Sequence, residues 1–423
     1  MSLNFDILMI NTKAKEDAQK GNKIINACLG ALKDNDHKLL VFQEVIKALR
    51  NDSSSFLDYA PVLGTNDYKI GVCKWLFKDK YEEVLNSNRF SFCATMGGTG
   101  ALFSIFKIAS LENATLFYGD IVWPNYVTIA KNVEIKTSIF TLINNNEFNF
   151  DGFKEKILEE LKTSKKVYVL LNDPCENPIG YSFSKKELDT VWKFLKNVNS
   201  KEHVVDLIVD IAYIDYSNNL DSFLDYVYEP TNFNVFICFS ASKSFGVYGI
   251  RCGALLAFGK DEETAKKIKE NMAFISRGTI SNPNHQAIGP ISRVMLDENS
   301  SHNIKEEIKS YKSLLNKRGQ VAIEYLKKYK VDFLPYSSGF FVTIKTKKDA
   351  YQIISKLMEK HIYLVPISGS LIRLAICSIN EDEIKTVIKE IASEDKWINF
   401  FETNLSKIPF LKENFYLFFY VFW

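Results

Sequence analysis

Short apolar runs alternate with longer amphipathic stretches between about residues 90 and 260, a pattern that is typical of a parallel α/β sheet. Helical spacing of apolar residues predicts helices over 150–164 and 184–198. In open sheets of this class, ligands bind outside the carboxyl ends of the strands, so the search for a site begins there. The apolar runs predict strands at 114–120, 134–142, 165–173, 204–213, 234–242 and 252–260.

After residue 300 the pattern changes to that of a smaller α+β domain. A long helix is predicted over 303–329, followed by the strand-like runs FLPYSSGFFVTI and IYLVPISG and a helix over 381–393. Near the N-terminus, INACLGALKD (25–34) is strand-like and precedes a helix at 40–50. We therefore predict an N-terminal arm with part of the small domain (1–39), a large domain (40–310), a small C-terminal domain (311–395) and an aromatic tail (396–423).

The tail ends in FYLFFYVFW (415–423), which is too short to span a membrane and too apolar to stay free in water. We expect it to dock on its own chain, and docking on a partner subunit or a membrane surface stays open. No apolar run in the chain reaches the length of a membrane span, and the first residues lack a signal-peptide pattern.

Composition and charge narrow the classes of function. The chain has 423 residues, is 46% hydrophobic, and carries a net charge of +2, which argues against a nucleic-acid partner. Its seven cysteines include no CxxC pair, and its five histidines show no metal-ligand spacing. We therefore expect a cytoplasmic protein with reduced thiols and no metal site.

Polar and glycine residues gather where the predicted strands end. Taken singly, each has an ordinary explanation: an indole packs in a core, an Asn before Pro makes a turn, and a lysine after a strand reaches water. A carboxylate inside the apolar run VVDLIVDIAYI is harder to explain, because a buried charge needs a partner. The residues at these strand ends are Gly98, Thr99, Trp123, Asn177, Asp210, Tyr213, Ser240, Ser242, Lys243 and Arg251.

Together these residue types suit one ligand. The two glycines that open a helix at TMGGTGALFSIF offer free N–H groups to an anion, and the fork of Arg251 adds a cation. Trp123 offers a stacking face, Asp210 a partner for a ring nitrogen, and Lys243 an amine that captures an aldehyde. The ligand with all four features is pyridoxal 5′-phosphate (PLP). The loop lacks a GK[ST] ending, which disfavours a nucleoside triphosphate.

At this point the chain resembles the fold type I PLP-dependent transferases, and among them the aspartate and aromatic amino acid aminotransferases. The resemblance covers roughly residues 24–395 and rests on motifs that follow the family's order. These are DYAPVLG, GGTGAL, VWPNY, ENPIG, DIAY, SASKSFGVYGIRCG and SNPNHQ. It implies an α/β fold with a large, mainly parallel sheet domain that binds PLP, and a smaller α+β domain.

The resemblance also implies roles for individual residues. Lys243 would bind PLP and move the substrate proton, Asp210 would face the ring nitrogen, and Tyr213 and Asn177 the ring oxygen. Trp123 would stack on the ring beside the substrate. The phosphate would be held by Gly98, Thr99, Ser240, Ser242, Arg251 and, from the neighbouring subunit, Tyr59.

For the substrate, the resemblance implies that Arg373, helped by Asn177, grips the α-carboxylate, with Gly30 on the substrate's other side. Arg277 would cross from the other subunit of a homodimer to bind a distal carboxylate. An alternative for Arg277 is structural, since it could cap a helix end or pair with Glu262 or Glu263.

Three departures from the family pattern concern the surroundings of this site. The family usually has His where this chain has Tyr126, so a bond to Asp210 must be made differently or be lost. Glu176 stands where HNPTG has His, and SGSLIR replaces the SGR of relatives before Arg373.

The function that we expect is transamination of aspartate or an aromatic amino acid with 2-oxoglutarate. A PLP-dependent lyase or aspartate β-decarboxylase would use the same cofactor residues, and sequence cannot distinguish which Cα bond is broken. A non-catalytic PLP-binding regulator is a third possibility, although such proteins usually add a DNA-binding domain and this chain shows no sign of one.

Overall fold

The computed structural model describes residues 6–51 and 56–395. The aromatic tail predicted at 396–423 lies outside these described residues. In chain order, the strands are β1 (Ile25–Asn26), β2 (Phe90–Met96), β3 (Thr115–Gly119), β4 (Lys136–Phe140), β5 (Ile143–Asn144), β6 (Glu147–Phe148), β7 (Lys166–Asn172), β8 (Val204–Asp210), β9 (Val235–Ser240), β10 (Cys252–Phe258), β11 (Phe341–Lys345), β12 (Ile362–Tyr363), β13 (Val365–Ser368) and β14 (Leu371–Ala375).

The helices frame both the large sheet and the smaller sheet near the C-terminus. In chain order, they are α1 (Ile7–Gln19), α2 (Gln43–Arg50), α3 (Asn66–Phe77), α4 (Tyr81–Asn86), α5 (Gly97–Leu111), α6 (Asn125–Asn132), α7 (Phe150–Glu160), α8 (Lys185–Val198), α9 (Ala241–Ser244), α10 (Glu262–Thr279), α11 (His285–Leu296), α12 (Glu298–Tyr329), α13 (Ala350–Glu359) and α14 (Glu381–Glu394).

A seven-stranded sheet forms the centre of the molecule, with the strand order β2-β10-β9-β8-β7-β3-β4. The strands β9, β8, β7, β3 and β4 pair in parallel, as the alternation of apolar runs predicts. The strand predicted at 252–260 is β10, which is antiparallel to both of its neighbours, β2 and β9. The predicted class, α/β with a mainly parallel sheet, is confirmed.

Both faces of this sheet are covered by helices. In β9, Val235, Ile237 and Phe239 belong to one apolar cluster, while Phe236 and Cys238 belong to another. This alternation arises because successive side chains of a strand point to opposite faces. The near-continuous apolar sequence of β9 therefore reflects burial on both sides.

A second, smaller core lies around the antiparallel sheet β11-β14-β13. It also contains Ile10 and Ala14 of α1 and Ala27 and Cys28 beside β1, which pairs with β12. The N-terminal segment therefore packs with C-terminal elements. Of the strand predicted over 25–34, only the two residues of β1 form a strand, and Lys33 makes an isolated antiparallel bridge with Leu39.

Helix α12 contributes to both cores. Ile304 and Ile308 belong to the large core, whereas Ala322 and Leu326 belong to the small one. The helix begins at Glu298, five residues before the predicted start, with Asp297 as N-cap accepting a hydrogen bond from Ser300 N. The predicted domain boundary between 310 and 311 falls inside this helix, and the division into domains stays a prediction.

All seven cysteines are buried and free of disulfide bonds. A membrane-spanning helix is absent from the described part of the chain.

Candidate active site

A cavity of about 340 Å³ opens at the carboxyl ends of β7, β8 and β9. This is the edge of a parallel sheet where the geometry of the fold favours a ligand. All of the predicted site residues except Tyr59 and Arg277 line it, namely Gly30, Gly98, Thr99, Trp123, Asn177, Asp210, Tyr213, Ser240, Ser242, Lys243, Arg251 and Arg373.

Lys243 lies in α9, the single helical turn that directly follows β9. Its Nζ atom is 4.8 Å from the centre of the Tyr248 ring and 5.8 Å from that of Tyr213. None of the ion pairs formed by the described residues involves Lys243. Burial lowers the pKa of this amine to about 8. The side chain is therefore an amine that loses its proton readily inside the cavity.

Asp210 is the last residue of β8 and is 4% exposed. Its Oδ2 accepts a hydrogen bond of 2.7 Å from the hydroxyl of Tyr126, and its Oδ1 accepts one of 3.1 Å from the backbone N–H of Ala212. Burial raises the pKa of Asp210 to about 6, although both bonds and the nearby Lys243 act in the opposite direction. The bond to Asp210 that the His-to-Tyr change put in question is thus made by the phenol of Tyr126.

Asn177, Tyr213 and Arg373 form a buried network on the other side of the cavity. The amide of Asn177 donates to the Tyr213 hydroxyl at 3.3 Å, and Arg373 Nη1 donates to Asn177 Oδ1 at 3.1 Å. Arg373 lies on β14, and its Nη2 donates to the carbonyl oxygen of Cys28 at 2.6 Å. Its buried Nε has no partner among the described residues. A guanidinium with a spare buried donor is suited to a carboxylate ligand.

The N-terminus of α5 and the guanidinium of Arg251 form an anion cradle. No side chain caps this end of α5, so its first N–H groups can bind a ligand. Arg251 Nη1 donates to Ser242 Oγ at 3.2 Å and to the carbonyl of Tyr248 at 2.9 Å. A Cβ on Gly97, whose φ is +70°, would lie 2.5 Å from Arg251 Nη2. Glycine here lets the helix end and the cation approach each other, as a phosphate site requires.

Trp123 lies between β3 and α6, and its ring lines the cavity. It meets the ring of Tyr126 edge to face, with centroids 5.5 Å apart and an angle of 85°. An indole in this position can stack on a flat heteroaromatic ring. With the lysine, the carboxylate and the anion cradle in one cavity, the residues present fit PLP.

Among the cavity residues that were not predicted as site residues from the sequence, Tyr248 and Asn172 make polar contacts. Tyr248 accepts a hydrogen bond of 3.0 Å from the N–H of Leu32, which ties the loop after β1 to the loop after α9. Asn172 ends β7, bonds the N–H of Asn177 at 2.8 Å and donates to the carbonyl of Asp210 at 2.8 Å. Position at a strand end is the signal that could have identified Asn172.

Glu176 is buried behind Asn177. Its Oε2 accepts a hydrogen bond of 3.0 Å from the N–H of Ile179, and its Oε1 has no partner among the described residues. Burial raises the pKa of this carboxyl well above its ordinary value, and the neighbouring Asp210 acts in the same direction. Burial therefore disfavours the ionised form of Glu176 at this position.

Tyr59 and Arg277 lie together on the surface of the chain, away from the cavity. Tyr59 is 85% exposed and lines a surface pocket of about 290 Å³ with Ser281 and Asn282. Arg277 donates to Ser281 Oγ at 2.7 Å and to Asn282 Oδ1 at 3.4 Å. Glu262 and Glu263 form no ion pair with it in the described part of the chain.

Comparison with known proteins identifies the family of the chain. The family described as aminotransferase class I and II matches residues 22–391. The aromatic-amino-acid aminotransferase of Paracoccus denitrificans is 26% identical over 397 residues, which cover 91% of this chain and 96% of that protein. The aspartate aminotransferase of Pseudomonas aeruginosa is 25% identical over 398 residues, with coverage of 91% and 96%.

Solved structures give the same result for the fold. An aminotransferase of Anaerococcus prevotii superposes with a TM-score of 0.85 at 30% identity, over 94% of this chain and 98% of that one. The cytoplasmic aspartate aminotransferase of Saccharomyces cerevisiae, at 22% identity and a TM-score of 0.80, shares the fold over 93% of this chain and 96% of that one. The chain belongs to the class I and II aminotransferases, a family of enzymes whose cofactor is pyridoxal 5′-phosphate.

Proposed function

We propose that this aminotransferase transfers the amino group of aspartate or of an aromatic amino acid to 2-oxoglutarate. The observation that carries the proposal is the presence of Lys243 and Arg373 in one buried cavity. An amino acid has an amine and a carboxylate at a fixed separation. Lys243 lies where the amine reacts, and Arg373 can bind the carboxylate. Relatives named for aspartate and for aromatic amino acids support both substrate classes.

Lys243 has two tasks in this proposal. Its amine, with a pKa near 8, is partly neutral at physiological pH and can attach to the cofactor's aldehyde. Lys243 Nζ would also be the base that accepts the proton from substrate Cα and donates it back later in the reaction. When bound, PLP supplies the aldehyde and a ring that accepts the electrons left at Cα.

Asp210 and Trp123 orient and polarise the ring. The carboxylate of Asp210 would hold a proton on the ring nitrogen, and the Trp123 indole would offer a stacking face to the ring. Tyr213 and Asn177, bonded to each other, offer donors to the ring oxygen. Arg373 holds the substrate carboxylate, and Asn177, which accepts from Arg373, keeps that guanidinium in position.

The cofactor phosphate belongs in the cradle of α5. Gly98 and Thr99 would contribute backbone N–H groups, Ser240 and Ser242 hydroxyls, and Arg251 a cation. A Cβ on Gly98 would lie 3.1 Å from Ser240 Cβ, so glycine keeps this space open.

We further propose a homodimer in which each subunit lends Tyr59 and Arg277 to the other's cavity. Tyr59 would reach the cofactor phosphate and Arg277 a distal carboxylate of the substrate. Their position on the outside of their own chain supports this, because exposed aromatic and arginine side chains are typical of interfaces. Free cysteines and a relative named as cytoplasmic support a cytoplasmic location.

The test is the substrate dependence of Arg277→Ala. Loss of the Arg277 guanidinium should lower kcat/KM for aspartate, glutamate and 2-oxoglutarate. The expected decrease corresponds to a loss of roughly 3 kcal/mol in transition-state stabilisation, the cost of removing one partner of a desolvated charge pair. An aromatic donor carries no distal charge and should lose much less. Arg50→Ala, which removes an exposed arginine from the last turn of α2, is the matched control and should change neither rate.

Two results would contradict the proposal. Equal losses of kcat/KM for acidic and aromatic donors would show that Arg277 has a structural role and that the proposed preference for dicarboxylic substrates is wrong. Turnover that needs no oxo acid would favour the lyase or β-decarboxylase, which breaks a different bond at the same site.

A further inference from the structure

We propose that Tyr126 is a positioning residue that holds two parts of the cofactor site, Asp210 and Trp123, with one side chain. The inference rests on the proposed role of Asp210 opposite the ring nitrogen, and it holds for any amino acid substrate. Tyr126 stands where the family usually has histidine, and the inference gives this replacement a role.

The hydroxyl of Tyr126 holds Asp210. It donates to Oδ2 at 2.7 Å, while Oδ1 is held by the N–H of Ala212 at 3.1 Å. Each carboxylate oxygen thus has one protein donor and keeps lone pairs for a further donor. A carboxylate that accepts hydrogen bonds is a weaker base, so the proton that it shares with a ring nitrogen stays on the nitrogen.

The phenol is a neutral donor that keeps its own proton. Burial, together with the charge of Asp210, raises the pKa of Tyr126 well above its ordinary value. A histidine in this place could become a cation and neutralise part of the Asp210 charge. The other titratable groups near Asp210 are Lys243, Glu176, Tyr213 and Cys238. Tyr126 therefore fixes the carboxylate without offsetting its charge.

The ring of Tyr126 supports Trp123. It is 1% exposed and meets the indole edge to face at 5.5 Å, with Phe106 at 6.4 Å on another side. The backbone joins them as well, because Tyr126 N donates to the carbonyl of Trp123 at 3.0 Å. A rigid, packed ring on the first turns of α6 limits how far the indole can tilt. The hydroxyl of Tyr126 thus holds Asp210 and its ring supports Trp123, and different substitutions can remove each role.

The experiment compares Tyr126→Phe, which removes only the hydroxyl, with Tyr126→Leu, which also removes the ring. Each purified holoenzyme is loaded with ¹⁵N-labelled PLP, and the ring-nitrogen chemical shift reports its protonation. Circular dichroism of the cofactor band reports how the ring is held. Tyr168→Phe is the matched control, because it breaks a hydrogen bond of 2.6 Å between another buried tyrosine and Glu112. Asp210→Asn is the reference for a lost carboxylate.

For Tyr126→Phe we expect the ¹⁵N signal to move toward the unprotonated value with the dichroism band retained. Its kcat should fall about tenfold or more with little change in KM, as for one lost hydrogen bond to a charged group. Tyr126→Leu should show the same ¹⁵N shift and, in addition, lose more than half of the dichroism band. The control should leave both signals unchanged.

The outcomes that overturn the inference are distinct from failure of the Asp210 assignment. If Asp210→Asn leaves the ¹⁵N signal unchanged, Asp210 does not face the ring nitrogen and the basis of the inference is lost. If Asp210→Asn shifts the signal but Tyr126→Phe does not, Tyr126 has no role toward Asp210. If Tyr126→Leu and Tyr126→Phe have equal dichroism, the ring does not hold Trp123.

Discussion

The amine of Lys243 shows how a single position acquires reactivity from its surroundings. Stripping an ammonium of water costs free energy, and the cations Arg251 and Arg373 add to that cost, while Cys377 and Asp210 offset part of it. The balance lowers the pKa of Lys243 to about 8, against about 10.4 for a solvated lysine. A neutral amine is the nucleophile toward an aldehyde, so this shift favours capture of the cofactor near neutral pH.

Capture of PLP by the apoprotein should therefore rise with pH and reach half its limiting rate near pH 8. Below that pH the amine is protonated and cannot attack, and above it the neutral form predominates. Absorbance of the bound cofactor between pH 6.5 and 9.5 follows the reaction, and Lys243→Ala should show no capture. A rate that is still rising without levelling off at pH 9.5, as expected for a solvated lysine with a pKa of about 10.4, would contradict the lowered pKa.

Site residues could be predicted from the sequence where the chemistry of the cofactor site requires one particular residue type. A lysine after a strand, an aspartate inside an apolar run and a glycine pair at a helix start are visible along the chain. The bond between Tyr126 and Asp210 joins positions 84 apart in sequence, and local spacing carries no information about it. The same holds for Glu176, whose raised pKa follows from a burial that the sequence NDPCENPIG does not reveal.

At the scale of elements, α12 joins the two apolar cores. Its 32 residues include Ile308 in the large core and Leu326 in the small one. A helix is held by hydrogen bonds that run continuously along it, so disorder in one half costs stability in the other. We infer that the two cores unfold as one cooperative unit.

Ile308→Ala and Leu326→Ala should each lower the free energy of unfolding by about 2–5 kcal/mol, the usual cost of a large-to-small change in a core. Both should lower the midpoint of one and the same calorimetric transition. Lys309→Ala, at an exposed position of α12 paired with Glu306, should change stability by less than about 1 kcal/mol. Two separate transitions, each moved by only one of the core variants, would contradict the inference.

Elements were predictable where they follow a repeating pattern. The five parallel strands of the large sheet and the helices α7 and α8 lie close to their predicted ranges. The strands β2 and β14 were not predicted, although β2 borders the sheet and β14 carries Arg373. The direction of β10 was not predicted either, because an apolar run buried on both faces has the same composition whether it is parallel or antiparallel.

At the scale of the whole molecule, the cavity joins distant parts of the chain. Arg373 donates to the carbonyl of Cys28, 345 positions away, and Tyr248 accepts from Leu32. The first of these contacts links β14 to the loop after β1, and the second brings that loop to the loop that follows Lys243. Hydrophobic periodicity predicts helices and strands but not hydrogen bonds between residues far apart in the chain. The way in which these segments enclose the cavity is therefore known only from the structure.

The position of Arg277 on the outside of its own chain has a consequence for genetics. If each cavity combines Lys243 of one subunit with Arg277 of the other, a subunit with Lys243→Ala and one with Arg277→Ala form a mixed dimer with one intact site. Two defective alleles should then complement each other. Random exchange at equal amounts makes half of the dimers mixed, so activity toward aspartate should recover to about one quarter of wild type. Activity no greater than the sum of the two unmixed variants would show that each chain completes its own site.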